Sequence, residues 1–161
     1  MATRATASGD RIIEKLTESR QLFHRLILAA GPSGSGKTAA LRDVAARTGA
    51  PLINVNLELS RNLLELTGRE RVLQARRLLY SMIGDVEAGV VLLDNTELLF
   101  DVCLKQDPLP LLQGLARNRT LVVAWNGGAK GSFLTYAEPG HPEYRKYEIH
   151  DFLVVSTERE T

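Results

Sequence analysis

Hydrophobic residues fall into two patterns along this chain. Short, nearly unbroken apolar runs stand at Leu26–Ala30, Leu52–Leu57, Val90–Leu93, Leu121–Trp125 and Ile149–Val155, the signature of buried parallel strands. Between them, apolar positions recur at helical spacing. Asp10 can cap a helix to about Phe23, with Ile12, Ile13, Leu16 and Leu22 on its apolar face. Thr38–Thr48 reads as a helix stopped by Gly49 and Pro51, and Ser60 as the start of a short helical turn. Thr67-Gly68-Arg69-Glu70 has the form of a capping box. After it, Val72, Ala75, Leu79, Met82 and Val86 mark one helix face, ending near Gly84 or Gly89. Asn95–Phe100 reads as helical, and Asp107-Pro108 opens a helix through about Ala116. The stretch from Asn126 to His141 gives no pattern, and Pro142–Lys146 fits one helical turn.

Strands alternating with helices predict an α/β fold of three layers, a five-stranded parallel sheet covered on both faces. Neither a repeat nor a linker divides it. A single domain over residues 10–156 is expected, between a flexible N-terminus (1–9) and a C-terminal tail (157–161).

Composition narrows the class. A chain of 161 residues is about one domain, and 44% hydrophobic with 24% charged residues excludes a disordered chain. Its apolar runs fall short of the ~20 residues of a membrane span, and Met1–Asp10 lacks a secretory signal. A soluble cytoplasmic protein with no membrane partner is therefore expected. The single Cys103 allows no internal disulfide, and His24, His141 and His150 are scattered. With 20 Lys+Arg against 19 Asp+Glu the net charge is +1, so charge does not point to DNA as a partner.

Gly31-Pro32-Ser33-Gly34-Ser35-Gly36-Lys37-Thr38 matches G-x-x-x-x-G-K-[ST] completely, after one expected strand and opening an expected helix. Its glycines let backbone N–H groups turn inward around a phosphate, and the helix start adds its positive dipole end. Lys37 is expected on the β- and γ-phosphates of ATP, and the Thr38 hydroxyl on Mg2+. Val90-Val91-Leu92-Leu93-Asp94 is an apolar strand ending in a carboxylate, which makes Asp94 the second candidate magnesium residue.

Water activation is less direct. Asn95 follows Asp94, and an amide can orient a water but cannot take its proton. Glu97 is the nearest carboxylate, either the base or a residue that favours the start of a helix. Asn126, at the end of the fourth strand, either contacts the γ-phosphate end or serves the turn into Gly127-Gly128. A cation on the γ-phosphate is the remaining ingredient. Arg145, expected far from its own phosphate loop, could reach a neighbour's nucleotide, with Arg119 behind it and Arg117 nearby. Tyr136, Tyr144 and Tyr147 around Arg145 suit either an interface or the covering of a sheet edge. Arg69, Arg71, Arg76 and Arg77 form a basic cluster that reads as a solvated helix face or a phosphate-contacting patch.

These residues resemble a minimal AAA+-type ATPase core. The resemblance covers about residues 10 to 156 and implies sheet order 5-1-4-3-2, Asn126 as a sensor residue and Arg145 as a trans-acting finger. It stops short of the helical lid of that superfamily. Relatives with this strand arrangement usually carry Glu where Asn95 stands. A narrower resemblance runs through Leu92–Asp101, Leu104–Pro108, Leu112–Thr120 and Thr135–Tyr144. Those segments are similar to the BrxF family, small P-loop proteins of type 3 BREX phage-defence systems. That likeness implies a bacterial cytoplasmic role in phage resistance, alongside other components such as the larger ATPase BrxC.

The function expected is therefore ATP binding and slow hydrolysis by a lidless AAA+-like core acting in a homo- or hetero-oligomer, a neighbour supplying closure and the cation. Two alternatives stand beside it. A P-loop nucleoside or nucleotide kinase would need an arginine lid, for which only Arg69–Arg77 could serve. A nucleotide-gated scaffold without useful turnover would suit Asn95.

Overall fold

A computed structural model describes residues 6–157; residues 1–5 and 158–161 of the two expected termini lie outside them. The chain runs α1 (Ala7–Ser19), β1 (Leu26–Gly31), α2 (Lys37–Thr48), β2 (Leu52–Asn54), α3 (Val55–Leu63), α4 (Gly68–Gly84) and β3 (Val90–Asp94). Two short 3-10 turns follow, then α5 (Pro108–Leu115), β4 (Thr120–Lys130), β5 (Phe133–Tyr136), β6 (Arg145–Glu148) and β7 (Leu153–Ser156). The parallel strands lie in the order β2-β3-β4-β1-β7, and β5 and β6 are added antiparallel to the far end of β4.

Strand alternation builds the layers. Ile27, Ala29, Leu92, Val122, Ala124 and Val155 face one way, against Ile12 of α1 and Ala40, Leu41 and Val44 of α2. Leu28, Leu93, Leu121, Val123 and Trp125 face the other way, against α3, α4 and α5. No helix of the described residues is long and apolar enough to cross a membrane.

Several expectations change. Helix α1 begins at Ala7, not Asp10, because Thr6 Oγ1 accepts the Gly9 amide and caps it; it ends at Ser19, short of Phe23. Strand β2 stops at Asn54, whose side chain accepts from Leu57 N and starts α3 inside what reads as one apolar run. Only Glu97–Phe100 of the expected Asn95–Phe100 helix forms, as a 3-10 turn. The sheet is not five parallel strands alone, since the unpatterned stretch after Asn126 continues β4 and returns as β5. Arg145 and Lys146 belong to β6 rather than to a helical turn. The last strand starts at Leu153 because Asp151, at φ 59°, breaks the Ile149–Val155 run with a left-handed residue.

Candidate phosphate site at the sheet edge

Parallel register brings the motif residues together. Gly31 pairs with Asn126, and Asn54 with Asp94, so the phosphate loop, Asp94 and Asn126 share the carboxyl edge of the sheet. Ligands of open α/β sheets bind along this edge. Gly34 (φ 81°) and Gly36 (φ 94°) hold left-handed conformations that a side chain disfavours. Gly31 is required by space, because a Cβ there would collide with Ser35 Oγ and Thr157 Oγ1.

Helix α2 starts without a side-chain cap, as α5 does behind Asp107. Side chains of Thr6, Asn54 and Thr67 cap α1, α3 and α4, but Gly36 offers α2 none. The first amides of that helix are thus left without a side-chain acceptor. Lys37 Nζ donates to the carbonyls of Gly31 and Pro32, both at 2.6 Å. The third N–H of the ammonium is directed to Ser35 Oγ at 3.5 Å, a long contact that an anion in the loop can replace. Burial pushes the Lys37 ammonium below its ordinary value, and the carboxylates of Glu97 and Asp94 oppose that shift.

Thr38 Oγ1 donates to Asp94 Oδ2 at 2.8 Å. Asp94 is buried, and its other oxygen accepts the Asn95 amide at 2.9 Å. Asn95 adopts φ 51°, where asparagine is tolerated far better than glutamate, and its carbonyl accepts from Asn56 N. That backbone gives a conformational reason for an amide after Asp94. Thr96 Oγ1 ties the same turn to the carbonyl of Ala124 at 2.7 Å.

Glu97 is gripped from both sides. Asn56 Nδ2 donates to Oε2 and Asn126 Nδ2 to Oε1, each at 2.8 Å, while Asn56 Oδ1 accepts from Leu98 N. Asn126 therefore does more than serve a turn. Asn56 escapes sequence reasoning because it sits in a run that reads as strand; the signal available was a polar residue just past an apolar strand. Thr157, assigned to the tail, is buried against the loop: its amide donates to Ala30 O at 2.8 Å, and its hydroxyl lies 2.7 Å from Ser35 Oγ.

The arginines are engaged within the chain. Arg145 lies in β6, the outer strand of the antiparallel hairpin added to β4. It pairs with Tyr136 in the sheet, and Glu143, two residues before it, lines the same hollow of about 340 Å3 as Glu97. Its guanidinium donates to Tyr144 O. Arg119 Nη1 donates to Ile83 O and Val86 O, closing the C-terminal end of α4. Arg117 lies over Phe23, 4.9 Å from the ring centroid. Arg71 Nε holds the carbonyls of Leu63 and Leu66, which takes it out of the basic cluster.

No family model and no curated protein matches the chain. Among solved structures, C. elegans PCH-2 is similar at 18% identity and a TM-score of 0.39, over 73% of this chain. The match takes in 34% of that chain, so this protein spans about a third of its length.

Proposed function

We propose that the protein binds ATP at the Gly31–Thr38 loop and hydrolyses it slowly as an AAA+-like core within an oligomer. The observation that carries this reading is the joining of Lys37, the Thr38–Asp94 pair and a clamped Glu97 along one sheet edge. The uncapped start of α2 suits an anion. Thr38 Oγ1 and Asp94 Oδ2 form an all-oxygen pair of the kind that holds Mg2+ beside substrate phosphates. When bound, the ion neutralises charge on the β- and γ-oxygens.

Glu97 is the base in this scheme. The two amides fix the direction of the carboxylate, each taking one lone pair of an oxygen, and release of Asn56 or Asn126 lets it turn toward a water to accept the proton. A resting clamp of this kind favours slow basal turnover. Arg145 is assigned to the γ-phosphate of a neighbouring subunit, and the resemblance through Leu92–Tyr144 supports a role in a cytoplasmic BREX phage-resistance system beside partners such as BrxC.

Phosphate release from ATP tests the reading. Wild-type turnover per chain should rise with protein concentration and fall at least a hundredfold in Lys37→Ala. Arg145→Ala should be equally inactive alone and regain activity when mixed with Lys37→Ala. Turnover that ignores concentration would remove the shared site. Transfer to a nucleoside or nucleotide in place of water would establish the kinase alternative, and tight ATP binding without release the scaffold.

A further inference from the structure

Beside the phosphate loop the β4–β5–β6 hairpin turns back over β1 and β7 and encloses a cleft of about 590 Å3, bounded by Pro32 on the loop side. That volume is within the roughly 300–1,000 Å3 range of small-molecule sites. Register assigns the hairpin faces. Gly128, Thr135 and Lys146 stand side by side across the three strands, as do Lys130 and Phe133 two pairs further on. These residues line the cleft. Their alternates Leu134, Tyr136 and Tyr147 pack into the core.

The two adjacent glycines have different reasons to be there. A Cβ on Gly127 would overlap the Thr135 carbonyl, so packing alone requires glycine. A Cβ on Gly128 would meet nothing within 4 Å, and its φ is not positive. Neither space nor backbone conformation demands glycine at 128. Its effect is a bare strip of peptide backbone on the cleft floor, and glycine inside a strand often marks a close approach by a ligand. Around that strip stand Phe133, 40% exposed, and Tyr144, with Lys130 and Lys146 bringing positive charge against the single carboxylate of Glu138. Lys146 Nζ already lies 4.3 Å from the Phe133 ring centroid.

We propose that this cleft is a second ligand site, for a nucleoside monophosphate unit. The base lies on the Gly128 strip beside the Phe133 ring, and the phosphate is met by Lys130 and Lys146. A bare phosphate would leave the aromatic walls uncovered, and a wholly apolar ligand would leave both lysines unanswered. Asn126 lines this cleft and also donates to Glu97 Oε1. An occupant that takes the Asn126 amide loosens the Glu97 clamp, so the site would stimulate the hydrolysis proposed above. Only this coupling rests on that reading; the binding does not.

Calorimetric titration of AMP, GMP, CMP and UMP into the Lys37→Ala protein, whose phosphate loop is disabled, tests the site. One or more of the four should bind at one per chain. Adding Gly128→Leu, which fills the cleft, should weaken that binding at least tenfold, as should adding Lys130→Glu with Lys146→Glu. The lysine pair, at the surface, carries the test should Gly128→Leu lower the melting temperature. No binding up to millimolar concentration, or binding unchanged in the altered proteins, overturns the proposal. A 5′-phosphorylated hexathymidylate is the second probe: tighter binding than UMP assigns a strand end as the source, and equal or weaker binding assigns the free nucleotide. Wild-type protein that binds no ATP while the cleft still takes a monophosphate would overturn the ATPase reading and leave this one standing.

Discussion

The phosphate loop and the β4–β6 hairpin lie against each other yet are specified in opposite ways. The loop is local: eight consecutive residues contain its glycine turns, its lysine and its hydroxyl. The hairpin depends on distant partners. Phe100 stacks on Tyr136 with ring centroids 3.4 Å apart, and Trp125 meets both Phe100 and Tyr136 edge to face. Trp125 Nε1 donates to Thr135 O, and Tyr147 OH to Asp107 Oδ1 at 2.6 Å. Burial pushes the Tyr136 hydroxyl up to about 12, with the Glu143 and Glu97 charges adding to the shift and the Asn126 hydrogen bond opposing it. A local motif can lose function at a modest cost in stability, whereas a region built on long-range contacts cannot.

Mutations should separate the two. The largest stability effect is expected from Phe100→Ala, which removes the ring under Tyr136 and should cost about 3–5 kcal/mol in urea unfolding. Thr38→Ala should act mainly on function, lowering ATP turnover at least a hundredfold, while loss of its hydrogen bond to the buried Asp94 carboxylate costs about 1–3 kcal/mol in unfolding. Gly127→Ala should destabilise by roughly 1–3 kcal/mol through overlap with the Thr135 carbonyl. An unchanged melting curve would show that the hairpin yields easily. Tyr147→Phe should cost about 0.5–1.5 kcal/mol, the loss of one hydrogen bond.

The smallest effect concerns acid, at a site away from both regions. Burial alone would raise the Asp43 carboxyl. Hydrogen bonds from Thr6 and Arg47, with the Arg47 charge, outweigh it and hold Asp43 below its usual value of 3.8. A group lowered on folding stabilises the protein above its unfolded value and stops doing so as pH falls through the folded one. Melting temperatures of wild type and Asp43→Asn should differ by a few degrees near neutrality and converge as pH falls below 3.8 and through the lowered folded value.

Sequence reading succeeded where the physics was local. The α/β alternation, the place of Gly31–Thr38 between a strand and a helix, the Thr67 cap and the place of Asp94 at a strand end could be read directly, because periodicity and glycine content act within a few residues. It failed where a single residue changed the backbone path. Asn54 ended a strand within an apolar run, and Asp151 did the same near the end. Gly127-Gly128 masked a strand whose identity comes from pairing with Thr135 and Tyr136. The grip on Glu97 was half visible: Asn126 follows a clear strand, but Asn56 reaches Glu97 across 41 positions of sequence.

Thr157 gives the fold a further property. It joins the end of β7 to Ala30 and Ser35, over 127 and 122 positions. The first and last strands of the sheet therefore open together at this edge rather than separately. Amide exchange at Thr157 and along β7 then becomes a remote gauge of the loop, slowing when an anion fills it and quickening when Ser35 is replaced by alanine.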